Sequence, residues 1–256
     1  MYFCSMQYTL KKSLGQHFLK DEIICEKLVS VWQETDGARL LEVGPGAGAL
    51  TRWLYTIKGL DFKAVELDEE KEQYLLTTYP ALAGKIILGD ILQIPLPFSE
   101  PFTMIGNFPY NISSQIVFRV LEWKDYIPVM IGMFQKEVAE RIVAPPGGKV
   151  YGILSVLVQA YYDVEYLFDV RPESFIPPPK VMSGVIRLKR KQQDVQVKSE
   201  RAFWVLVKTA FNQRRKMLRN AVKGLFDDVV LQDPIFQKRA EQLHVADFAR
   251  LTYLMN

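Results

Sequence analysis

A glycine-rich turn caught between a short strand and a helix constrains this chain more than any other feature. Arg39-Leu-Leu-Glu-Val43 reads as a buried strand and Gly44-Pro-Gly-Ala-Gly48 as a tight turn. Leu50, Leu54 and Ile57 mark the apolar face of the helix that follows. The same alternation continues. Strands are expected at 62–67, 85–88, 102–107 and 128–134, with helices opening at Asp21, near Ser113 and at Phe134. Asp21 is the expected N-cap of a helix carrying Ile23, Ile24, Leu28 and Val31. This order predicts an α/β fold, a parallel sheet with helices on both faces. A helix at 151–161 and late strands at 164–170 and 185–189 follow, the two strands joined by the proline-rich turn Phe175-Ile-Pro-Pro-Pro-Lys180. Beyond about Arg190 strand signals stop and helix runs to the end. The expected division is a sheet domain over 1–190, with an N-terminal extension 1–20 that shows no clear period, and a small all-α domain over 191–256.

Charge is distributed unevenly between these parts. The whole chain carries a net charge of +3, yet Lys180–Lys223 is strongly basic, with Asp194 and Glu200 its only acids. A basic module on a near-neutral body suits a polyanionic partner; a solvated helical face is the plainer explanation. Cys4 and Cys25 have no metal-like spacing, and His17 and His244 stand far apart, so no metal is expected. No apolar stretch is long enough to span a bilayer, and Met1–Leu10 lacks the pattern of a secretion signal. A cytoplasmic protein with free thiols and no membrane partner is the expectation.

The ends of successive strands carry polar residues suited to a nucleoside. Glycines at 44, 46 and 48 let backbone amides approach a ligand closely. Their G-x-G-x-G spacing differs from the G-x-G-x-x-G of dinucleotide binders. Glu66 ends the second strand, where a carboxylate can accept from ribose hydroxyls, and Asp90 ends the third, where it can accept from an adenine amino group. Either acid alone could equally cap the next helix. The buried strand Phe102–Gly106 then runs into Asn107-Phe108-Pro109-Tyr110, which offers an amide oxygen, a carbonyl and a ring within four residues. Such a set suits a flat base bearing an exocyclic amine. With the glycine turn, it points to methyl transfer onto a nucleobase nitrogen.

These segments, together with Gly15-Gln-His-Phe-Leu19, Gln135-Lys-Glu-Val138, Phe175-Ile-Pro-Pro-Pro-Lys-Val181 and Phe211-Asn-Gln-Arg-Arg-Lys216, resemble the KsgA-type rRNA adenine N6-dimethyltransferases over nearly the whole chain. The resemblance implies a Rossmann-like methyltransferase with a small helical C-terminal domain. It implies S-adenosyl-L-methionine as methyl donor and, as substrate, two adjacent adenosines near the 3′ end of 16S rRNA in the small ribosomal subunit or its precursor. By position it places donor contacts on His17, Leu19, Gly44, Gly46, Glu66, Asp90 and Asn107. His17 stands where the family usually has Asn, and Phe108 where it usually has Leu.

The chemistry asked of the tetrad can be stated from the residues. The N6 lone pair of adenine is delocalised into the ring. Acceptance of its two N–H groups by Asn107 Oδ1 and the Pro109 carbonyl lets the nitrogen pyramidalise toward a methyl donor. Tyr110 is expected to stack on the base and Phe175 to close its other face. Lys11, Lys12, Arg214, Arg215, Lys216 and Arg219 are the expected phosphate contacts, giving affinity and position rather than base choice. A monomer is expected. Three other readings stand beside this one: a methyltransferase of large-subunit rRNA of the macrolide-resistance type, a non-catalytic factor using the same fold as a scaffold, and, most weakly, a nicotinamide oxidoreductase.

Overall fold

A computed structural model describes residues 17–35 and 37–256. Lys11 and Lys12 lie outside the described residues. The first elements are β1 (Phe18–Leu19), α1 (Glu22–Gln33), β2 (Arg39–Val43), α2 (Thr51–Leu54), β3 (Asp61–Glu66), α3 (Glu69–Thr78) and β4 (Ile86–Leu88). Then come β5 (Thr103–Asn107), α4 (Ser113–Glu122), β6 (Val129–Gln135), α5 (Lys136–Val143), α6 (Ile153–Tyr161), β7 (Tyr162–Val170), β8 (Phe175–Ile176) and β9 (Ser183–Arg190). The helices α7 (Glu200–Asn212), α8 (Leu218–Val222) and α9 (Val245–Thr252), with short 3-10 turns between them, complete the chain.

The main sheet has the order β4-β3-β2-β5-β6-β9-β7. Strands β2 to β6 run parallel, and β9 is antiparallel to β6. The sheet is therefore mixed rather than wholly parallel. The chain winds outward from β2 through β3 to β4 and then returns to the other side of β2 as β5. The carboxyl ends of β2 and β5 flank that reversal, where ligands of open α/β sheets sit.

Helix α1 starts as its sequence signals. Asp21 Oδ1 accepts from the amides of Ile23 and Ile24 at 3.2 and 3.4 Å, and Asp21 Oδ2 accepts from Ser174 Oγ at 2.8 Å. Its inward face is Cys25, Leu28, Val29 and Trp32, whereas Ile23 is exposed. Ile24 and Val31 pack partly buried against the same core, as expected, and of the expected face only Ile23 points outward. Helix α2 is only four residues long and does not reach Ile57.

The chain packs as two compact units. One runs to Ala139 and takes up Glu165–Lys189; the other is Glu140–Val164 with Arg190–Asn256. The second unit therefore includes α6, a largely apolar helix that no change in composition separates from the sheet region.

One packing detail in the first unit fixes the end of β5. Phe108 is buried and its ring lies 5.1 Å from that of Phe134. It fits because Gly106 and Gly132 lack side chains. A Cβ on Gly106 would fall 2.6 Å from the Val43 carbonyl oxygen and 2.8 Å from Phe108 Cε1. Gly106→Ala is expected to lower stability by about 1–3 kcal/mol in chemical denaturation, the usual cost of overpacking. Wild-type stability in that variant would mean that Phe108 has room to move.

Candidate active site

Four adjacent strand ends in the first unit converge on one cavity. Its lining includes His17 and Phe18, Gly44 and Gly46 after β2, Glu66 and Leu67 after β3, Asp90 and Ile91 after β4, and Asn107, Pro109 and Tyr110 after β5. At the glycine turn φ is +67° at Gly44 and +55° at Gly46, values that favour glycine. A Cβ on Gly46 would lie 2.7 Å from Phe18 Cε1, so the turn must be bare for β1 to close over it.

Glu66 is nearly buried and braces this turn. Its Oε2 accepts from the Gly46 amide at 3.0 Å, while Oε1 accepts from the amides of Leu67 and Asp68, both at 3.0 Å. Burial raises its pKa, and those three amides pull it back down. A carboxylate has about four lone-pair sites, so one remains, on Oε2. Asp90 is also partly engaged: Oδ1 accepts from the Leu92 amide at 2.9 Å and Oδ2 from Gln93 Nε2 at 3.3 Å. Both carboxylates thus hold local backbone amides while lining the cavity, and the cap of the helix after β3 is Asp68 rather than Glu66.

Asn107 is oriented from behind. Its Nδ2 donates to the His17 carbonyl at 2.8 Å. That bond commits the amide's donor end and leaves Oδ1 as the end not used in holding the side chain. The Pro109 carbonyl accepts from the Ile112 amide at 3.2 Å and keeps a second lone pair. Tyr110 is fixed by a 2.5 Å hydrogen bond between its hydroxyl and Ser183 Oγ on β9. Burial raises the Tyr110 pKa, with Ser183 opposing that rise. The His17 ring stands 5.4 Å from the Tyr110 ring, and His17 Nδ1 donates to the Pro177 carbonyl at 2.8 Å. Among the described residues no cluster of His, Cys, Asp or Glu could hold a metal ion.

Two residues expected at the cavity, Phe175 and Leu19, lie elsewhere. Phe175 and Leu19 pair with each other through β8 and β1, and both side chains are buried in the core. Phe175 does not line the cavity and cannot close over a base there, because the two-residue pairing turns its ring inward. Leu19 likewise presents no side chain to the cavity. Arg214 is ion-paired to Glu241, Nε to Oε2 at 2.9 Å, and its Nη2 donates to the Gly148 carbonyl at 3.1 Å. Its guanidinium is held within the second unit, while Arg215, Lys216 and Arg219 are exposed.

Comparison with known proteins agrees with this geometry. The family model for ribosomal RNA adenine dimethylases matches residues 7–256. The ribosomal RNA small subunit methyltransferase A of Flavobacterium johnsoniae is 51% identical over 246 residues, covering 94% of each chain. That of Porphyromonas gingivalis is 48% identical over 258 residues, 98% of this chain and 99% of its own. The chain belongs to the ribosomal RNA adenine dimethylase family. Membership makes it an S-adenosylmethionine-dependent rRNA methyltransferase. The fold is shared with a dimethyladenosine transferase from Plasmodium falciparum, with TM-score 0.75 and 24% identity over 92% of this chain and 96% of that one. It is also shared with the 23S rRNA methyltransferase ErmE, with TM-score 0.67 and 23% identity over 91% and 99%.

Two features of this dimethylase site escape sequence reading. Ser183 sits far along the chain from Tyr110, and only the β6–β9 pairing brings it in. Glu42 is buried under the glycine turn and accepts from Thr51 Oγ1 at 2.8 Å. Burial pushes its pKa from 4.5 up to about 8, opposed by Thr51 and helped by the nearby Glu66 charge. The folded chain therefore keeps a proton there that the unfolded chain loses above 4.5. Stability from this group is full below 4.5 and is lost progressively as pH rises to about 8. Glu42→Gln, permanently neutral, is expected to flatten the fall in melting temperature between pH 5 and 8. Equal falls in both proteins would show that Glu42 is already ionised. Ser183→Ala is expected to lower turnover about tenfold with little change in donor affinity, since it releases only the Tyr110 ring; unchanged turnover would free Tyr110 of that requirement.

Proposed function

We propose that this chain transfers methyl groups from S-adenosyl-L-methionine to N6 of two adjacent adenosines near the 3′ end of 16S rRNA. The product is N6,N6-dimethyladenosine, formed on the small subunit or its precursor as part of subunit biogenesis. The protein acts in the cytoplasm as a monomer. The unit that runs to Ala139 and takes up Glu165–Lys189 supplies the methyltransferase domain, and Glu140–Val164 with Arg190–Asn256 the main RNA-binding one, in place of the division at 190 expected from the sequence. The observation that carries the reading is the Asn107 amide, whose nitrogen is committed to the His17 carbonyl and whose oxygen is left for an amine.

The cavity suits the donor. Leu67 and Ile91 give apolar flanks for an adenine, Asp90 an acceptor for its amino group, and Glu66 Oε2 one site for a ribose hydroxyl. Gly44, Gly46 and the strand-end backbone allow close approach beside His17. S-adenosylmethionine, when bound, would supply a methyl on a cationic sulfur, with the N6 lone pair forming the N–C bond as the C–S bond breaks and the neutral thioether leaving with that bond's electrons. The protein's part is orientation. Asn107 Oδ1 and the Pro109 carbonyl accept the two N–H groups and aim the lone pair. Tyr110, held by Ser183, supports the base. Each transfer leaves the nitrogen positively charged, and it gives one proton up to solvent; after the first, one N–H remains and a single acceptor is enough to hold it.

Glu66→Ala is expected to raise the donor dissociation constant about tenfold or more, through loss of both a ribose acceptor and the brace on Gly46. Asn107→Ala is expected to lower turnover about a hundredfold with donor affinity nearly kept. Equal loss of turnover with unchanged donor affinity in both variants would contradict these roles. Arg215, Lys216 and Arg219, with Lys11 and Lys12, are assigned to phosphates. Replacing Arg215 and Lys216 by Gln is expected to weaken RNA binding and flatten its salt dependence by about one unit of slope per charge. An unchanged slope would return those residues to a solvated face.

A further inference from the structure

The loop between α5 and α6 is exposed yet firmly tied. Pro145, Gly147, Gly148, Lys149 and Val150 all face solvent. At its base Gln159 Nε2 donates to the carbonyls of Ile142 and Ala144, both at 2.9 Å. At its tip the Gly147 amide donates to the Glu241 carbonyl at 2.7 Å, and the Gly148 carbonyl accepts from Arg214 Nη2. Arg214 is in turn paired to the Glu241 carboxylate, so side chain and main chain of one residue grip both sides of the tip. All of these residues belong to the second unit. Two adjacent glycines would make such a segment costly to order, at about 1–2 kcal/mol per residue. Neither glycine has a side chain to bury in return, and a Cβ added at either position would stand in open space.

The order serves presentation. Lys149 is the only charge in the loop and adjoins Gly148, whose carbonyl Arg214 holds, so the clamp ties it to segments that carry exposed cations. Arg215 and Lys216 follow Arg214 directly, Arg239 lies two residues before Glu241, and the Lys238 carbonyl accepts from the Leu218 amide beside Arg219 at 2.7 Å. We infer that the 145–150 loop is an RNA-contacting element of the second unit, with Lys149 on a phosphate and Arg214–Glu241 as the clamp that presents it. Arg214 is then a positioning residue rather than a phosphate ligand. The inference rests on the RNA-binding reading of this unit.

The decisive variant is Glu241→Gln, because the two accounts give opposite signs. Removing an anion from a basic surface should tighten RNA binding if only charge matters. Release of the loop should weaken it. Binding to unmethylated small subunits, titrated with salt, is expected to weaken severalfold in Glu241→Gln and in Arg214→Gln. The double variant should be no weaker than the poorer single, since both break one device. Lys149→Gln should weaken binding and reduce the salt slope by about one. Hydrogen exchange at the Gly147–Val150 amides should quicken in Arg214→Gln while exchange within α7 stays slow, which shows the unit still folded. Tighter or unchanged binding by Glu241→Gln, or an unchanged slope in Lys149→Gln, overturns the inference. If Arg215→Gln and Lys216→Gln also leave binding untouched, the RNA reading of the unit falls with it; if they weaken binding, only the loop's role falls.

Discussion

The hydrogen bond from Asn107 Nδ2 to the His17 carbonyl is the interaction on which the site depends. An amide side chain can present either end to a ligand, and only one end accepts from an amine. The His17 carbonyl settles which end is spent. That carbonyl is in place because β1 pairs with β8, with Phe18 opposite Ile176 and Leu19 opposite Phe175. Phe175, whose sequence position invites a stacking role, works instead from the core by anchoring this pairing. The bare Gly46 lets Phe18 sit against the glycine turn, so one short strand ties the glycine-turn side of the cavity to the Asn107 side.

The carboxylates follow a similar economy of use. Glu66 braces the Gly46 amide and still keeps a lone pair facing the cavity. Glu42, one layer below, is held largely neutral by burial and so adds no second anion beneath the turn. On the proposed mechanism, charge then stands at Glu66, where a hydroxyl would be held, and not at Glu42, where it would only be desolvated.

Much of this was legible in the sequence because it is local. The strand ends, the glycine turn, Glu66, Asp90 and the Asn107–Tyr110 tetrad are each read from a few consecutive residues, and the Asp21 cap is a signal of the same range. What the sequence hid is long-range. Two residues per strand in β1 and β8 leave no period to detect. Ser183 reaches Tyr110 only through sheet register, and Arg214 looks like any other cation in a basic run until Glu241 and Gly148 are found against it. The antiparallel β9 was invisible for a like reason: a strand buried in a mixed sheet carries the same apolar pattern whichever way it runs.

On this account the pocket dimethylates adenosine in small-subunit rRNA. The most direct test is transfer of labelled methyl groups from S-adenosylmethionine to unmethylated small subunits, with large subunits in parallel, followed by digestion to nucleosides. Label recovered as N6,N6-dimethyladenosine from the small subunit alone is the expected result. Label in large-subunit adenosine, or none in either despite measurable donor binding, would contradict it.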